Sequence, residues 1–82
     1  MKVIKAKIAE KKVKQIKINT DFIRLDSALK LADLVQSGGH AKAVIQDGEV
    51  KVNGEICLAR GKKLHAGDKI EFELNVIEVS GE

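Results

Sequence analysis

Between residues 25 and 54 the hydrophobic spacing switches from helical to alternating, and glycines punctuate the change. Leu25, Ala28, Leu29, Ala32 and Val35 recur at helical intervals. Asp26 sits in the first turn, where the helix dipole favours an anion, and Gly38-Gly39 halts the run. This pattern predicts a helix over residues 26–36. A second, shorter helix is predicted over residues 39–47, with Ala41, Val44 and Ile45 as its inner stripe, Ser37 as N-cap and Gly48 as a left-handed stop. His40, Lys42, Ala43 and Gln46 are left nearer the surface. Residues 49–52 and 56–58 then alternate as strands around Asn53-Gly54, the strongest short hairpin signal in the chain. A two-residue loop sets Val50 and Val52 opposite Cys57 and Glu55. An odd-length loop with a glycine bulge places Val50, Ile56 and Leu58 on one face, and that is the arrangement we expect.

On the N-terminal side, residues 3–19 alternate: Ile4, Ala6 and Ile8 against Lys5 and Lys7, then Ile16 and Ile18 against Lys17. One or two strands with a lysine-rich outer face are expected there. After the hairpin, Arg60-Gly61-Lys62-Lys63 reads as a basic connection and His65-Ala66-Gly67-Asp68 as a turn. Ile70, Phe72 and Leu74 alternate as a further strand. The apolar parity flips near Asn75, ahead of Ile77 and Val79, which predicts a bulge or turn.

The chain has 82 residues, the size of one domain, with 44% hydrophobic residues and no apolar run long enough for a membrane span. Lysines at positions 2, 5 and 7 interrupt any apolar signal segment, so a cytoplasmic location is expected. The lone Cys57 is expected to be a reduced, buried thiol. Net charge is +3, but residues 1–17 hold seven lysines against Glu10, while residues 18–69 carry eight cations against seven acids. Total charge therefore argues little, and the placement of the middle cations carries the functional reading.

Ser37-Gly38-Gly39-His40 opens a helix, so the first N–H groups there lack intrahelical partners and carry the positive end of the dipole. Two glycines let a phosphate approach closely, and His40 and Lys42 add a hydrogen bond and charge. Arg24, Lys30, Lys42, Lys51, Arg60, Lys62 and Lys63 give seven cations on elements able to pack side by side. Phe22 and Phe72 are the only aromatics, both beside apolar positions, so platforms for splayed bases are nearly absent. Structured RNA read through phosphates and shape fits better than single strands or a DNA major groove. Catalysis is not expected: no His/Cys set has metal-ligand spacing, and Ser27, Ser37 and Ser80 lack a nucleophile motif. Neither cofactor nor small-molecule substrate is implied.

At these residues the chain resembles the S4 RNA-binding domain, named for the fourth protein of the small ribosomal subunit. The resemblance rests on Arg24-Leu25-Asp26, Leu29, Ile45-Gln46-Asp47-Gly48, Val50-Lys51-Val52-Asn53-Gly54 and Leu64-His65-Ala66-Gly67-Asp68-Lys69-Ile70, and covers residues 22–73. Leu29-Lys30-Leu31-Ala32, Ser37-Gly38-Gly39-His40-Ala41-Lys42 and Arg60-Gly61-Lys62-Lys63-Leu64 look more narrowly like the small stand-alone bacterial proteins of the YaaA/YbcJ type. The resemblance implies an α+β fold, the αL motif, with two short helices on a small, mostly antiparallel sheet. It also implies non-catalytic binding of structured RNA, ribosomal RNA in particular, in ribosome association or assembly. Carried onto this sequence, the contacts become Arg24, Lys30, Gly38, Gly39, His40, Lys42, Lys51, Asn53, Arg60, Lys62 and Lys63. Where many such domains place a Ser-Arg or Thr-Arg pair, this chain has Gly39-His40, which shifts the load to backbone N–H groups and Lys42. Residues 1–20 are longer and more basic than the family's usual N-terminus. Two other readings stay open: a protein-interaction module using the N-terminal strand edge, and an RNA-binding subunit serving a separate RNA-modifying enzyme.

Overall fold

The computed structural model describes residues 11–81; the alternation expected over residues 3–8 lies outside them. Along the chain run β1 (Lys12–Ile18), β2 (Ile23–Arg24), α1 (Leu25–Leu31), α2 (Gly38–Gln46) and β3 (Val50–Val52). β4 (Glu55–Ile56), β5 (Lys63–Leu64), β6 (Lys69–Phe72) and β7 (Asn75–Gly81) complete it. Five strands form one sheet in the order β1-β7-β6-β3-β4, and β2 and β5 form a separate two-stranded ribbon. All pairings are antiparallel except β1 with β7. The α+β architecture expected from the sequence is therefore present.

The side-chain period of two decides which face of the sheet meets the helices. Ile16, Ile18, Val50, Val52, Ile70, Phe72, Ile77 and Val79 point to one side, where Leu25, Ala28 and Leu29 of α1 and Ala41, Val44 and Ile45 of α2 cover them. Leu64 of the ribbon joins the same core, and no charged or polar side chain is buried among the described residues. The opposite sheet face carries charged side chains beside the exposed Val13 and Ile56. There Lys11 pairs with Glu71 at 2.7 Å, Lys69 with Glu78 at 3.8 Å, and Gln15 donates to Glu78 at 3.2 Å.

Helix α1 is shorter than its hydrophobic spacing predicts. It ends at Leu31 because Asp33 adopts φ 62°, which lets Asp33 N–H reach Lys30 O and Leu34 N–H reach Leu29 O, both at 3.0 Å. This is the double hydrogen bond of a left-handed helix stop, made without glycine. From β1, Lys14 Nζ reaches the Ala32 carbonyl at 3.4 Å, a cation at the negative end of the helix. Helix α2 follows expectation: Ser37 caps it and Gly48, at φ 78°, ends it.

The hairpin differs from expectation. Val52 pairs with Glu55 and Lys51 with Ile56, so the loop is the two residues Asn53-Gly54, at φ 52° and 90°. Cys57 consequently leans on the core while Ile56 and Leu58 stay 59% and 61% exposed. The expectation of an odd loop assumed that Ile56 and Leu58 had to be buried; the pairing shows they do not. Lys63-Leu64, read as part of a connection and its sequel, is a strand of the ribbon. Glu73-Leu74 supplies the turn foreseen near Asn75.

Asp33 is a non-glycine residue in the left-handed region, with its charge at the negative end of α1. Asp33→Gly should raise stability by about 1 kcal/mol, and Asp33→Val should lower it by a similar amount, in urea unfolding.

Candidate nucleic-acid interface

The start of α1 has no side-chain cap from its N-cap residue, Arg24. Its first two donors are met by the basic loop instead, Leu25 N–H donating to Lys62 O at 2.9 Å and Asp26 N–H to Arg60 O at 3.1 Å, while Ser27 N–H donates to Asp26 Oδ1 at 2.8 Å. The loop approaches a positive helix end through carbonyls, which leaves its cationic side chains facing outward. The ribbon adds Lys63 directly opposite Arg24. Arg24, Arg60, Lys62 and Lys63 are thus gathered at one end of α1, all exposed. Arg24 lies against Gly61, where an added Cβ would stand 3.6 Å from its guanidinium, and bonds Asp26 at 3.2 Å.

At α2, Ser37 Oγ accepts the His40 N–H at 3.1 Å and the first intrahelical bond is Ala41 N–H to Ser37 O. The Gly38 and Gly39 N–H groups have no acceptor among the described residues. Neither glycine is demanded by the fold: nothing lies within 4 Å of a Cβ at Gly38, only Ser37 Oγ at 3.9 Å for Gly39, and neither has positive φ. His40 does more than the sequence suggested. Its Nδ1 accepts the Gln36 N–H at 3.3 Å, so the ring completes the cap and offers only Nε2 outward. Lys42 is exposed one residue beyond Ala41, and Lys30 is exposed about 9 Å along α1 from Arg24.

Two residues of the expected set stand apart. Lys51 points to the sheet face away from the helices, opposite Glu71 on β6 and close to Lys11. The hydrogen bond from Lys11, with smaller charge effects from Lys11 and Lys51, holds the Glu71 carboxyl below its usual range. Asn53 is occupied: its Nδ2 donates to Asp68 Oδ1 at 3.1 Å and its Oδ1 accepts the Lys69 N–H at 3.0 Å. Its amide ties the hairpin to the His65–Asp68 turn. That turn is closed by Asp68 N–H to His65 O at 3.0 Å and by His65 N–H to Asp68 Oδ2 at 2.7 Å. The sequence reading placed Phe22 beside apolar residues; it is 38% exposed, with Lys63 Nζ 4.8 Å from its ring centre. No local sequence signal marks Phe22, because its neighbours come from the partner strand.

Exposed cations and uncommitted helix N–H groups suit an anionic, extended ligand. Among the described residues no group of three or more His, Cys, Asp and Glu could hold a metal ion, and no helix is long and apolar enough to cross a membrane. Residues 16–80 match the S4 domain, and the chain belongs to that family. It is also 50% identical over 58 residues to the "Probable ribosome maturation protein RlbA" of Bacillus subtilis (strain 168), across 71% of this chain and 82% of that protein.

The His65 N–H bond, ahead of the Asn53 amide, holds the Asp68 carboxyl below its ordinary value of 3.8. A depressed carboxyl stabilises the fold above that value and loses its contribution as acid protonates it. Asp68→Ala should therefore lower the melting temperature by about 4–8 °C at pH 7, for a loss of about 1 kcal/mol. The gap from the parent protein should close as the pH is taken below 3.8.

Proposed function

We propose that this protein binds structured RNA without catalysing a reaction, and that it acts in the cytoplasm during ribosome maturation on ribosomal RNA. The observation that carries the reading is a contrast in charge. On the outer sheet face Lys11 and Lys69 are neutralised by glutamates, whereas on the helix side only Arg24 has a carboxylate partner among the described residues. Arg60, Lys62, Lys63, Lys30 and Lys42 have none there. Arg24 and Lys63 sit opposite each other across the ribbon, a like-charge pair in which only Arg24 has a carboxylate, Asp26, beside it. Membership of the S4 family and the name of the Bacillus subtilis relative support the same assignment.

Phosphate binding should show as log affinity falling linearly with log salt. In a salt titration with ribosomal RNA fragments, the paired change Lys62→Glu, Lys63→Glu should reduce that slope by about 2, and Lys42→Ala by about 1, in folded protein. Lys51→Ala should leave it unchanged, since Lys51 lies on the other face. Unaltered affinity after the paired change would remove the proposed face.

The α2 glycines allow a test with opposite signs. Gly38→Ala and Gly39→Ala should each raise stability, by a few tenths to about 1 kcal/mol, because alanine forms helix better. Each should weaken RNA binding by blocking the N–H groups beneath. A gain in stability with unchanged binding would limit the phosphate site to the loop and ribbon.

A further inference from the structure

The two-stranded ribbon has an inner and an outer face. Ile23 and Leu64, paired with each other, turn inward to the core; Arg24 and Lys63, the next pair, turn outward. Extending the antiparallel register by one residue sets Phe22 opposite His65 on that same outer face, and their ring centres lie 6.4 Å apart at 55°. We infer that this outer face is a binding site for one unpaired RNA base, stacked on Phe22 with His65 at its edge, while Arg24 and Lys63 hold the flanking phosphates. The inference rests on the RNA-binding reading and goes beyond recognition by phosphates and shape.

The rest of the fold treats these rings as fixed fittings. Thr20 Oγ1 donates to the Phe22 carbonyl at 2.8 Å, fixing the approach to the ribbon. His65 opens the turn that Asp68 closes, and Asn53 braces Asp68 from the hairpin. Phe22 differs from Phe72, which is 4% exposed within the core. A phenylalanine kept at 38% exposure beside an imidazole and a lysine has the parts that single-stranded recognition uses: a π-face, a polar ring edge and adjacent cations. At 55° the rings are no parallel sandwich, so one base stacks on Phe22 and meets His65 with its hydrogen-bonding edge. The Lys63 ammonium now above the phenyl ring yields that position and turns to phosphate, a small loss because an exposed cation–π contact is weak.

The test uses two RNA hairpins of equal stem length, one fully paired and one carrying a single 2-aminopurine bulge. The parent protein should prefer the bulged hairpin and quench its fluorescence. Phe22→Leu, which keeps the apolar packing, should lose about 5- to 150-fold in affinity for the bulged RNA, little for the paired one, and abolish the quench. Phe22→Tyr should restore both. Lys42→Ala should weaken both hairpins alike and keep the quench at saturating protein. Equal, salt-sensitive binding of the two hairpins, unaffected by Phe22→Leu, would overturn the stacking site while leaving RNA binding intact. Failure to bind either hairpin, or any other structured RNA, would overturn both readings.

Discussion

The arrangement of the cationic face depends on two hydrogen bonds, from the N–H groups of Leu25 and Asp26 to the carbonyls of Lys62 and Arg60. A seven-residue helix is too short to stand alone, and its first donors need acceptors. Drawing those acceptors from a basic loop solves both problems at once. The helix end is satisfied by backbone oxygen, and the loop's lysine and arginine side chains are carried outward on a rigid base. Arg24, as N-cap of α1 and also a ribbon residue, then stands across from Lys63. Core, helix start and charged surface therefore share one set of bonds.

The contrast between the two faces of the sheet follows from the same economy. With no polar side chain buried, every charge in the described chain has to be placed at the surface, and the pleat decides on which side. Cross-strand glutamates meet Lys11 and Lys69 on the outer face. The helix side lacks such partners for most of its cations, and that asymmetry is invisible in the net charge.

Much of the fold was legible in local sequence. The inner stripes of α1 and α2, the Ser37 cap, the Gly48 stop and the His65 turn all express interactions within a few residues, and those the structure keeps. The end of α1 was not legible, because aspartate took the left-handed position usually held by glycine. The loop length of the hairpin was not legible either, because Ile56 and Leu58 look like core residues, yet two-residue pairing puts them outside. For the site, exposure of the cations could be read from alternation, but their grouping could not. It needed the α1 bonds to the 60–62 loop, the ribbon register that joins Phe22 to His65, and the sheet pleat that sends Lys51 elsewhere. Asn53 and His40 show the converse: polar residues at a turn and a helix start were explained in large part by the bonds they make inside the protein.

The parallel pairing of β1 with β7 imposes an order of events. Within the described sheet β7 is the one neighbour of β1, so residues 12–18 cannot join it until residues 75–81 are in place. During synthesis the first described strand must wait for β7 while the helices and the ribbon that carry the cations are made. β7, the last described strand, is thus a clasp, and closing such a long loop makes this step slow relative to the local helices and turns. A nascent chain of this protein completes its cationic helix and ribbon segments before its sheet is sealed.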